Sequence, residues 1–418
     1  MQQFILSLFL VLVFDQALAK TSTSQDKLTN LLKIAEENNP QIKAAREVAR
    51  SSSYKAKGTG YFPDPMVKFN YFGSPIETRN GPQKSNLMLS QQIPWPQTLG
   101  SMERKAESMA SVEREKANLV LLDVSFGLKS LIFKNIQLRK KISSKKLMRS
   151  SLVNLIEVVL ARLKVGSSSQ AEISRINIEM AKLSQDIRAL ETKLYATKHD
   201  IKKLLGTNNG DLSLPESLSD NWLTLPKDFN VNSSSFESHP ITQLNRRKIE
   251  KASANIEFER SKRLPMMGVS ATWFQIDEPE GLTSPNGGKD AWAIGASISV
   301  PIWSGKYSAL ENSSIAERSS AQAELRNAEL ELKTKLFNLH DEFKSTEDIV
   351  TIFKSDIIPQ ANQSLRTNQK SYQQGSVPFD RVIDDYLRLI RFEDRLEDNL
   401  AKLATLRAGI EKVLGRTF

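Results

Sequence analysis

The chain repeats itself after 209 residues. The segments 166–206 and 375–415 each begin and end with glycine, and their apolar residues fall in register. The matching positions are Met180, Leu183, Ile187, Leu194, Ile201 and Leu204 in the first segment, and Leu389, Phe392, Leu396, Leu403, Ile410 and Val413 in the second. Such internal similarity predicts that the chain is built from two copies of one structural unit.

The first 19 residues have the pattern of a secretory signal peptide. Residues 4–14 are apolar except for Ser7, and Ala17-Leu18-Ala19 supplies the small-x-small cleavage pattern. The apolar run is shorter than the roughly 20 residues that a membrane-spanning helix needs. We therefore expect export, although a buried apolar strand or helix would give the same pattern.

The chain contains no cysteine and carries a formal net charge of +10 at pH 7. Disulfides and thiolate metal sites are excluded, so packing or assembly must hold an exported protein of this length. Charges of both signs are mixed along the chain, as in residues 391–395, which is typical of solvated helix faces. A nucleic-acid partner is not expected.

Each copy begins with a predicted short helix. Asn39-Pro40 and His239-Pro240 open these segments, and proline is favoured in the first turn of a helix. We predict helices over residues 40–57 and 240–262, because prolines follow soon after both.

Two strands are predicted after each short helix. In the first copy, residues 66–71 and 87–93 are strands joined by a loop over 73–86 that is rich in Gly, Pro and Asn. In the second copy, the loop is predicted over 277–289. The clearest strand is the last one, where a small, polar set alternates with the apolar residues Trp292, Ile294, Ala296, Ile298 and Val300. That pattern fits a membrane-barrel strand and also a half-buried strand of a soluble sheet.

A very long helix is predicted after each strand pair. Residues 101–165 contain one glycine and no proline, and residues 306–358 contain neither. The first of these helices would extend roughly 100 Å. Pro359 is expected to interrupt or kink the second. A narrow, heptad-like seam in the second helix indicates coiled-coil packing, and its members are Leu325, Ala328, Leu332, Leu339, Ile349 and Phe353.

The predicted fold is mostly α with a small β part. Four strands cannot close a barrel, and open sheet edges are not viable in lipid, so a membrane role requires several chains. The predicted organisation is a signal peptide (1–19), a first repeat (20–206), a linker (207–235) and a second repeat (236–418). Each repeat holds a short helix, a strand hairpin (66–93 or 267–300) and a long helical hairpin (100–206 or 305–415).

These features, in this order, resemble the TolC-like outer-membrane efflux channels of Gram-negative bacteria over essentially all of the mature chain. The resemblance rests on the duplication, the two helix starts and the two turn glycines, together with Gln92-Ile93-Pro94, Ser299-Val300-Pro301, Leu204-Leu205-Gly206 and Val413-Leu414-Gly415. The segment Phe62-Pro63-Asp64-Pro65-Met66 is similar to the heavy-metal cation branch of the family.

The resemblance implies a homotrimer, with one twelve-stranded β-barrel in the outer-membrane lipid and an α-helical barrel through the periplasm. The implied partners are a periplasmic adaptor (membrane fusion) protein and an inner-membrane transporter of the RND or ABC type. Drug efflux, metal efflux and type I protein secretion all remain open. A periplasmic coiled-coil structural or adhesive protein without a pore is the alternative.

No enzyme activity, cofactor or metal site is expected. The three histidines, His199, His239 and His340, have no plausible ligands at metal spacing, and the sequence contains no nucleophile or phosphate-loop motif.

The resemblance places a pore gate after the second turn. Counted from Gly375, the two acidic positions of the family fall at Arg381 and Asp384, with Asp380 and Asp385 beside them. Three copies of Asp384 are expected to form a cation-attracting constriction, as rings of carboxylates do in cation channels. Arg381 is expected to pair with Asp384 or with a neighbouring chain. A solvated acidic helix start would contain the same residues.

The resemblance also places adaptor docking at the two turns, over residues 162–169 and 374–377. The residues expected there are Arg162, Gly166, Ser167, Gly375 and Ser376. The two glycines are expected to supply the left-handed conformation that ends a helix as well.

Aromatic residues lie in or beside the predicted strands. Tyr71, Phe72, Trp273 and Trp292 are predicted to form a girdle at the membrane interface, with packing in a soluble core as the alternative.

Overall fold

The computed structural model describes residues 23–207, 212–227, 229–232, 234–279, 281 and 285–416. The predicted signal peptide lies outside the described residues. The chain forms two compact units, each of which combines elements of both sequence repeats. The helical unit takes described residues from the ranges 1–43, 120–236 and 332–418, and the sheet unit takes them from 44–119 and 237–331.

The described part of the chain is mostly helical with one small antiparallel sheet, which confirms the predicted fold class at this level. In chain order the elements are α1 (Ser24–Asn38), α2 (Pro40–Thr59), β1 (Met66–Thr78), β2 (Gly81–Ile93), α3 (Pro96–Lys164), α4 (Gln170–Leu205), α5 (Pro240–Ser261), β3 (Met266–Ile276), β4 (Ala291–Ser299), α6 (Ser304–Ile352), α7 (Ile358–Gln373) and α8 (Phe379–Leu414).

The two predicted short helices are confirmed as α2 and α5, each beginning at its proline. Helix α1 was not predicted, although its start carries a local signal. Thr23 and Asp26 form a reciprocal capping box, in which each side chain accepts a hydrogen bond from the backbone of the other.

The predicted loop over residues 73–86 is wrong. Strand β1 continues to Thr78 and β2 starts at Gly81, so only a two-residue turn separates them. The pairing register shifts between Tyr71 and Ile76, and this irregularity accommodates Gly73 and Pro75. Because β1 is an edge strand, a proline within it breaks no ladder to a second neighbour.

The second long helix is interrupted beside Pro359, as predicted. The α-helical pattern of α6 changes to a π-type turn over Phe353–Ile357, and α7 follows with the proline in its first turn. The predicted seam is partly wrong, because Ile349 is 39% exposed. The heptad spacing runs instead through Leu336, Phe343 and Val350, all of which are buried.

Asn39 links the start of α2 to the end of α4 within the helical unit. The side chain of Asn39 accepts hydrogen bonds from the backbone N–H groups of Gln41 and Ile42, and its Nδ2 donates to the carbonyl of Leu204 at 2.7 Å. A Cβ on Gly206 would lie 2.3 Å from the carbonyl oxygen of Asn38. The Asn-Pro and Leu-Leu-Gly motifs are therefore two sides of one packed contact.

Two apolar clusters hold the helical unit. The first packs α1 and the middle of α3 against the ends of α4 and α8, around Phe133 and Trp222. The second packs the end of α3 and the starts of α4 and α8 against α7, around Leu152, Ile176 and Tyr372. The second cluster positions the two turns at which adaptor docking and the gate are predicted.

Candidate functional site

The four strands form one open sheet in the order β1-β2-β3-β4, with every neighbouring pair antiparallel. Cross-strand partners place two rows of apolar residues, each with one residue from every strand, on the same face. One apolar row across the sheet reads Val67, Leu89, Ala271 and Ile294, and a second reads Phe69, Leu87, Trp273 and Trp292.

The opposite face of the sheet is small and polar. On this face, the row between the two apolar rows reads Lys68, Met88, Thr272 and Ala293. The row on the other side of Val67 reads Met66, Ser90, Ser270 and Gly295, and the next one pairs Gly268 with Ser297. Asn70 and Asn86 share a 2.7 Å hydrogen bond on this side. The sheet is therefore strongly two-faced, although neither face is a buried core.

The apolar face is open to the surroundings of the chain. All nine residues of β4 are exposed, and the side chains of Trp292 and Ile294 are 75% and 77% accessible. Such a contiguous exposed apolar surface is typical of a membrane or protein contact. None of the described helices is long and apolar enough to cross a membrane.

The four predicted interface aromatics do not share one face. Trp273 and Trp292 are direct cross-strand partners, and Tyr71 lies on the same apolar face near the same end of the sheet. Phe72 follows Tyr71 in a strand, so it points to the opposite, polar face. A membrane-interface role for Tyr71, Trp273 and Trp292 stays a prediction.

The two turns of the helical unit have the same backbone. Gly166 and Gly375 have φ values of +74° and +79°, which confirms the predicted left-handed conformation. After each glycine, a serine N–H donates to a carbonyl five residues earlier, from Ser167 to Arg162 and from Ser376 to Ser371, both at 2.9 Å. This is the hydrogen bonding of a Schellman helix end.

Tyr372, which sequence reasoning missed, ties the second turn to the first. Its ring lies 4.4 Å beneath the guanidinium of Arg162, and its hydroxyl donates a hydrogen bond to the carboxylate of Glu172. Ser168 donates to the same carboxylate oxygen. Burial, followed by the bond to Glu172, raises the pKa of the Tyr372 hydroxyl. The phenol is thus held neutral, as a donor.

Arg175 of the first hairpin is the partner of the proposed gate acids. Its guanidinium forms an ion pair with Asp380, and its Nη2 lies 3.7 Å from Oδ1 of Asp384. Arg381 is exposed and forms no ion pair with any of the described residues, so its pairing with a neighbouring chain stays a prediction. The carboxylates of Asp380 and Asp384 lie on one helix face, as predicted.

Asp385 points away from the other two acids and is buried. It accepts hydrogen bonds from Ser364 Oγ at 2.9 Å and from Asn368 Nδ2 at 2.7 Å, both on α7. Its role in the chain is therefore to join α7 to α8.

The charges at the two turns are inverted between the repeats. Glu172 and Arg381 are 209 residues apart, and so are Arg175 and Asp384. Equivalent positions thus carry opposite signs, and the Arg175–Asp384 contact joins one such equivalent pair. The sequence already contains this inversion, which appears when the charges of positions 209 residues apart are compared.

No group of three or more His, Cys, Asp or Glu side chains that could hold a metal ion occurs among the described residues.

The chain has the fold of solved outer-membrane channels. It is similar to CusC, whose structures describe transmembrane channel formation, with a TM-score of 0.77 and 15% identity over 94% of this chain and 92% of that one. The outer membrane protein VceC of Vibrio cholerae matches with a TM-score of 0.75 and 15% identity, over 94% and 96% of the two chains. The open state of the Neisseria gonorrhoeae MtrE outer membrane channel matches with a TM-score of 0.72 and 14% identity, over 93% of this chain and 89% of that one.

No protein-family model and no curated protein matches the sequence. The structural likeness at these identities confirms the predicted resemblance at the level of the fold. Assignment to the heavy-metal branch stays a prediction.

Proposed function

We propose that the protein is the outer-membrane channel of a tripartite efflux or type I secretion system in a Gram-negative bacterium. It would be a passive exit duct that extends into the periplasm, for substrates delivered by an inner-membrane transporter of the RND or ABC type and a periplasmic adaptor. The observation that carries this proposal is the open, two-faced sheet with its exposed apolar side.

Physical chemistry limits how such a sheet can enter lipid. Both edge strands, β1 and β4, have unpaired backbone groups on one side, and these groups must be paired inside a bilayer. A head-to-tail contact between copies closes into a ring when the rotation permits. Three copies supply twelve strands, with the apolar face toward lipid and the small, polar face toward the lumen.

The gate follows from the inverted charges. In a ring of three chains, each with two hairpins, Arg175 would alternate with Asp384, and Glu172 with Arg381. Within one chain Arg175 pairs with Asp380 and Asp384, and the gate would be a ring of three such groups of ion pairs. The predicted ring of three Asp384 carboxylates thereby becomes a ring in which Asp384 alternates with Arg175.

Adaptor docking at the turns is supported by their exposure. Gly166, Ser167, Gly375 and Ser376 are all exposed, while Arg162 behind them is fixed over Tyr372. Replacing one turn by a charge-neutral sequence of equal length should abolish cross-linking to the adaptor and leave assembly intact. Undiminished cross-linking would contradict docking there.

Cell fractionation tests the channel against the alternative of a pore-free periplasmic protein. We expect a detergent-dependent trimer in the outer-membrane fraction that dissociates on heating. A mature protein that is soluble without detergent would contradict the channel and support the coiled-coil alternative.

Planar-bilayer recording tests the gate. Replacing Asp384 by Ala should raise conductance or alter cation preference, because one of the two carboxylates that pair with the Arg175 guanidinium is lost. Asp341→Ala is the matched control, since it removes an exposed carboxylate that the proposed gate does not include. Unchanged currents in Asp384→Ala would rule out the gate role.

A further inference from the structure

The sheet unit contains an unfilled cavity where the strands meet the helices. Its volume is about 410 Å³, and the last residues of β4 and the first turn of α6 form one wall. The walls are mainly apolar and aromatic, with two lysines and three hydroxyl side chains, and include Trp95, Lys262, Pro301, Lys306, Tyr307 and Leu310. Such a cavity accommodates a bulky aromatic side chain.

Exposed apolar residues lie beside both open edges of the sheet. Before β1, the side chains of Tyr61 and Phe62 are 77% and 58% accessible. After β4, Val300, Ile302 and Trp303 are similarly exposed. One chain thus carries an exposed aromatic pair at one edge and an incompletely lined cavity at the other.

The strand ends of the sheet are staggered from β1 to β4, and this stagger would bring the two edges together when two copies associate. Met66 is in register with Ser90, Ser90 with Ser270, and Ser270 with Gly295. Strand β4 nevertheless continues to Ser299, four residues beyond the level at which β1 begins. When β1 of a second copy pairs antiparallel with the free edge of β4 and the strand ends keep shifting in the same direction, the start of that β1 lies beside residues 300–303. The residues before that strand then lie beside the first turn of α6.

Charge complementarity points to the same arrangement. Asp64 follows the aromatic pair and is exposed, and Lys306 lies at the mouth of the cavity with its ammonium 5.8 Å from the ring of Tyr307. Neither Asp64 nor Lys306 forms an ion pair with another described residue. A second copy would bring the carboxylate of one to the ammonium of the other.

We propose that the Tyr61–Phe62 pair of one copy fills the cavity between α5 and α6 of the next, with Asp64 paired to Lys306. Each junction between strands and helices is then completed by the neighbouring chain. This inference rests on the proposed ring of three chains and adds a specific contact to it.

Cysteine cross-linking tests the contact cleanly, because the full chain contains no cysteine. Phe62→Cys combined with Tyr307→Cys should give covalent dimers and trimers with a short bis-maleimide, whereas either single variant should not. Ile76→Cys with Tyr307→Cys is the negative control, since Ile76 is exposed at the other end of β1.

A second pair separates this inference from ring closure itself. Met66→Cys with Val300→Cys reports only that β1 of one copy lies beside the end of β4 of the next. Cross-linking of this pair without cross-linking of Phe62→Cys and Tyr307→Cys would overturn the cavity contact and leave the barrel standing. Failure of both pairs would overturn the barrel and the contact together.

Charge exchange provides an independent readout. Asp64→Lys and Lys306→Asp should each lower the ratio of trimer to monomer in detergent, before heating, by about 1.5-fold to fivefold, the range of exposed ion pairs, and the double variant should restore it. Additive losses would contradict the pairing. Loss of a phospholipid from the native trimer in Lys306→Asp, with no effect of Asp64→Lys, would assign the cavity to lipid and overturn the proposal.

Discussion

The two helical hairpins have matching backbones but differ in the side chains that fill and charge them. Helices α4 and α8 each contain 36 residues and follow turns with closely similar glycine conformations. Within the chain α8 buries 18 of its residues, whereas α4 buries 7. The two helices therefore have the same local geometry but different packing environments.

The inverted charges follow from placing two copies side by side. An unmodified duplication puts like charges at equivalent positions, and these repel where the copies meet. Opposite signs at 175 and 384 replace that repulsion by attraction without a change in the backbone.

The interiors of the two hairpins also differ, here in polarity. The first has the buried apolar set Leu155, Val159 and Ile176, and the second has Ser364, Asn368 and Asp385 at the equivalent positions. The contact is thus apolar in the first hairpin and hydrogen-bonded in the second.

Tyr372→Ala should produce the largest loss. The ring is 2% exposed, packs edge-on against Phe379 and carries Arg162 on its face, so its removal should cost about 3–5 kcal/mol of local stability. Hydrogen exchange of the two turns measures the loss. Leu163→Ala, at the equivalent position of the first hairpin, is half-buried and should cost clearly less. Equal losses would contradict an asymmetric role for the tyrosine.

The backbone of these hairpins was predictable from the sequence because its signals are local. A turn glycine and an apolar period act within a few residues, and both recur after 209 positions. The role of Tyr372 was not predictable, since its partners Arg162 and Glu172 lie about 200 residues away in the chain. Local propensity contains no information on which side chains of two copies will meet.

The misplaced loop has the opposite cause. Gly73 and Pro75 are strong local turn signals, and they were overridden by the pairing of β1 with β2 on both sides of the irregularity. Tertiary pairing decides such a strand, because a proline is tolerated where the ladder is already irregular.

Asp385→Ile should give the second-largest loss, although it makes the second hairpin resemble the first. Ser364 Oγ and Asn368 Nδ2 lose a common acceptor in a partly buried site, at a cost of about 1–3 kcal/mol. Thermal unfolding of the detergent-solubilised protein, with hydrogen exchange of α7, checks this. Adding Ser364→Leu and Asn368→Val recreates the apolar set of the first hairpin and should recover most of the loss. No recovery would show that the two interiors differ in shape as well as in polarity.

The turn glycines should respond equally, because here the two copies are alike. Gly166→Ala and Gly375→Ala should each cost about 1–2 kcal/mol, the penalty of a left-handed conformation for a residue with a Cβ. Neither new methyl group would clash, since its nearest neighbour is at least 3.7 Å away. Gly58→Ala is the control: it lies in α2 with open space around it and should not destabilise the protein. Unequal costs at 166 and 375 would show that one turn carries a further constraint.

The smallest change in stability should come from the inverted charges themselves. Arg175 and Asp384 are 45% and 59% exposed in their side chains, so their pair contributes about 0.2–1 kcal/mol. Arg175→Asp places a third carboxylate beside Asp380 and Asp384, and Asp384→Arg places two guanidinium groups together. Each single variant should raise the open fraction in planar bilayers. The double variant should recover part of the closed state, because opposite signs again meet at 175 and 384 while Asp380 still faces a carboxylate at 175.

Ionic strength separates this electrostatic effect from a packing change. At roughly 1 M salt, where the screening length falls to about 3 Å, the currents of the single variants and the native protein should converge. The control is the exchange of Lys402 and Glu342, an equally exposed pair 2.7 Å apart in the same unit, which should leave the currents unchanged at any salt concentration. If the double variant at 175 and 384 instead showed the sum of the two single effects, equivalent positions would not be partners. The inversion of sign between the repeats would then have no role in closing the channel.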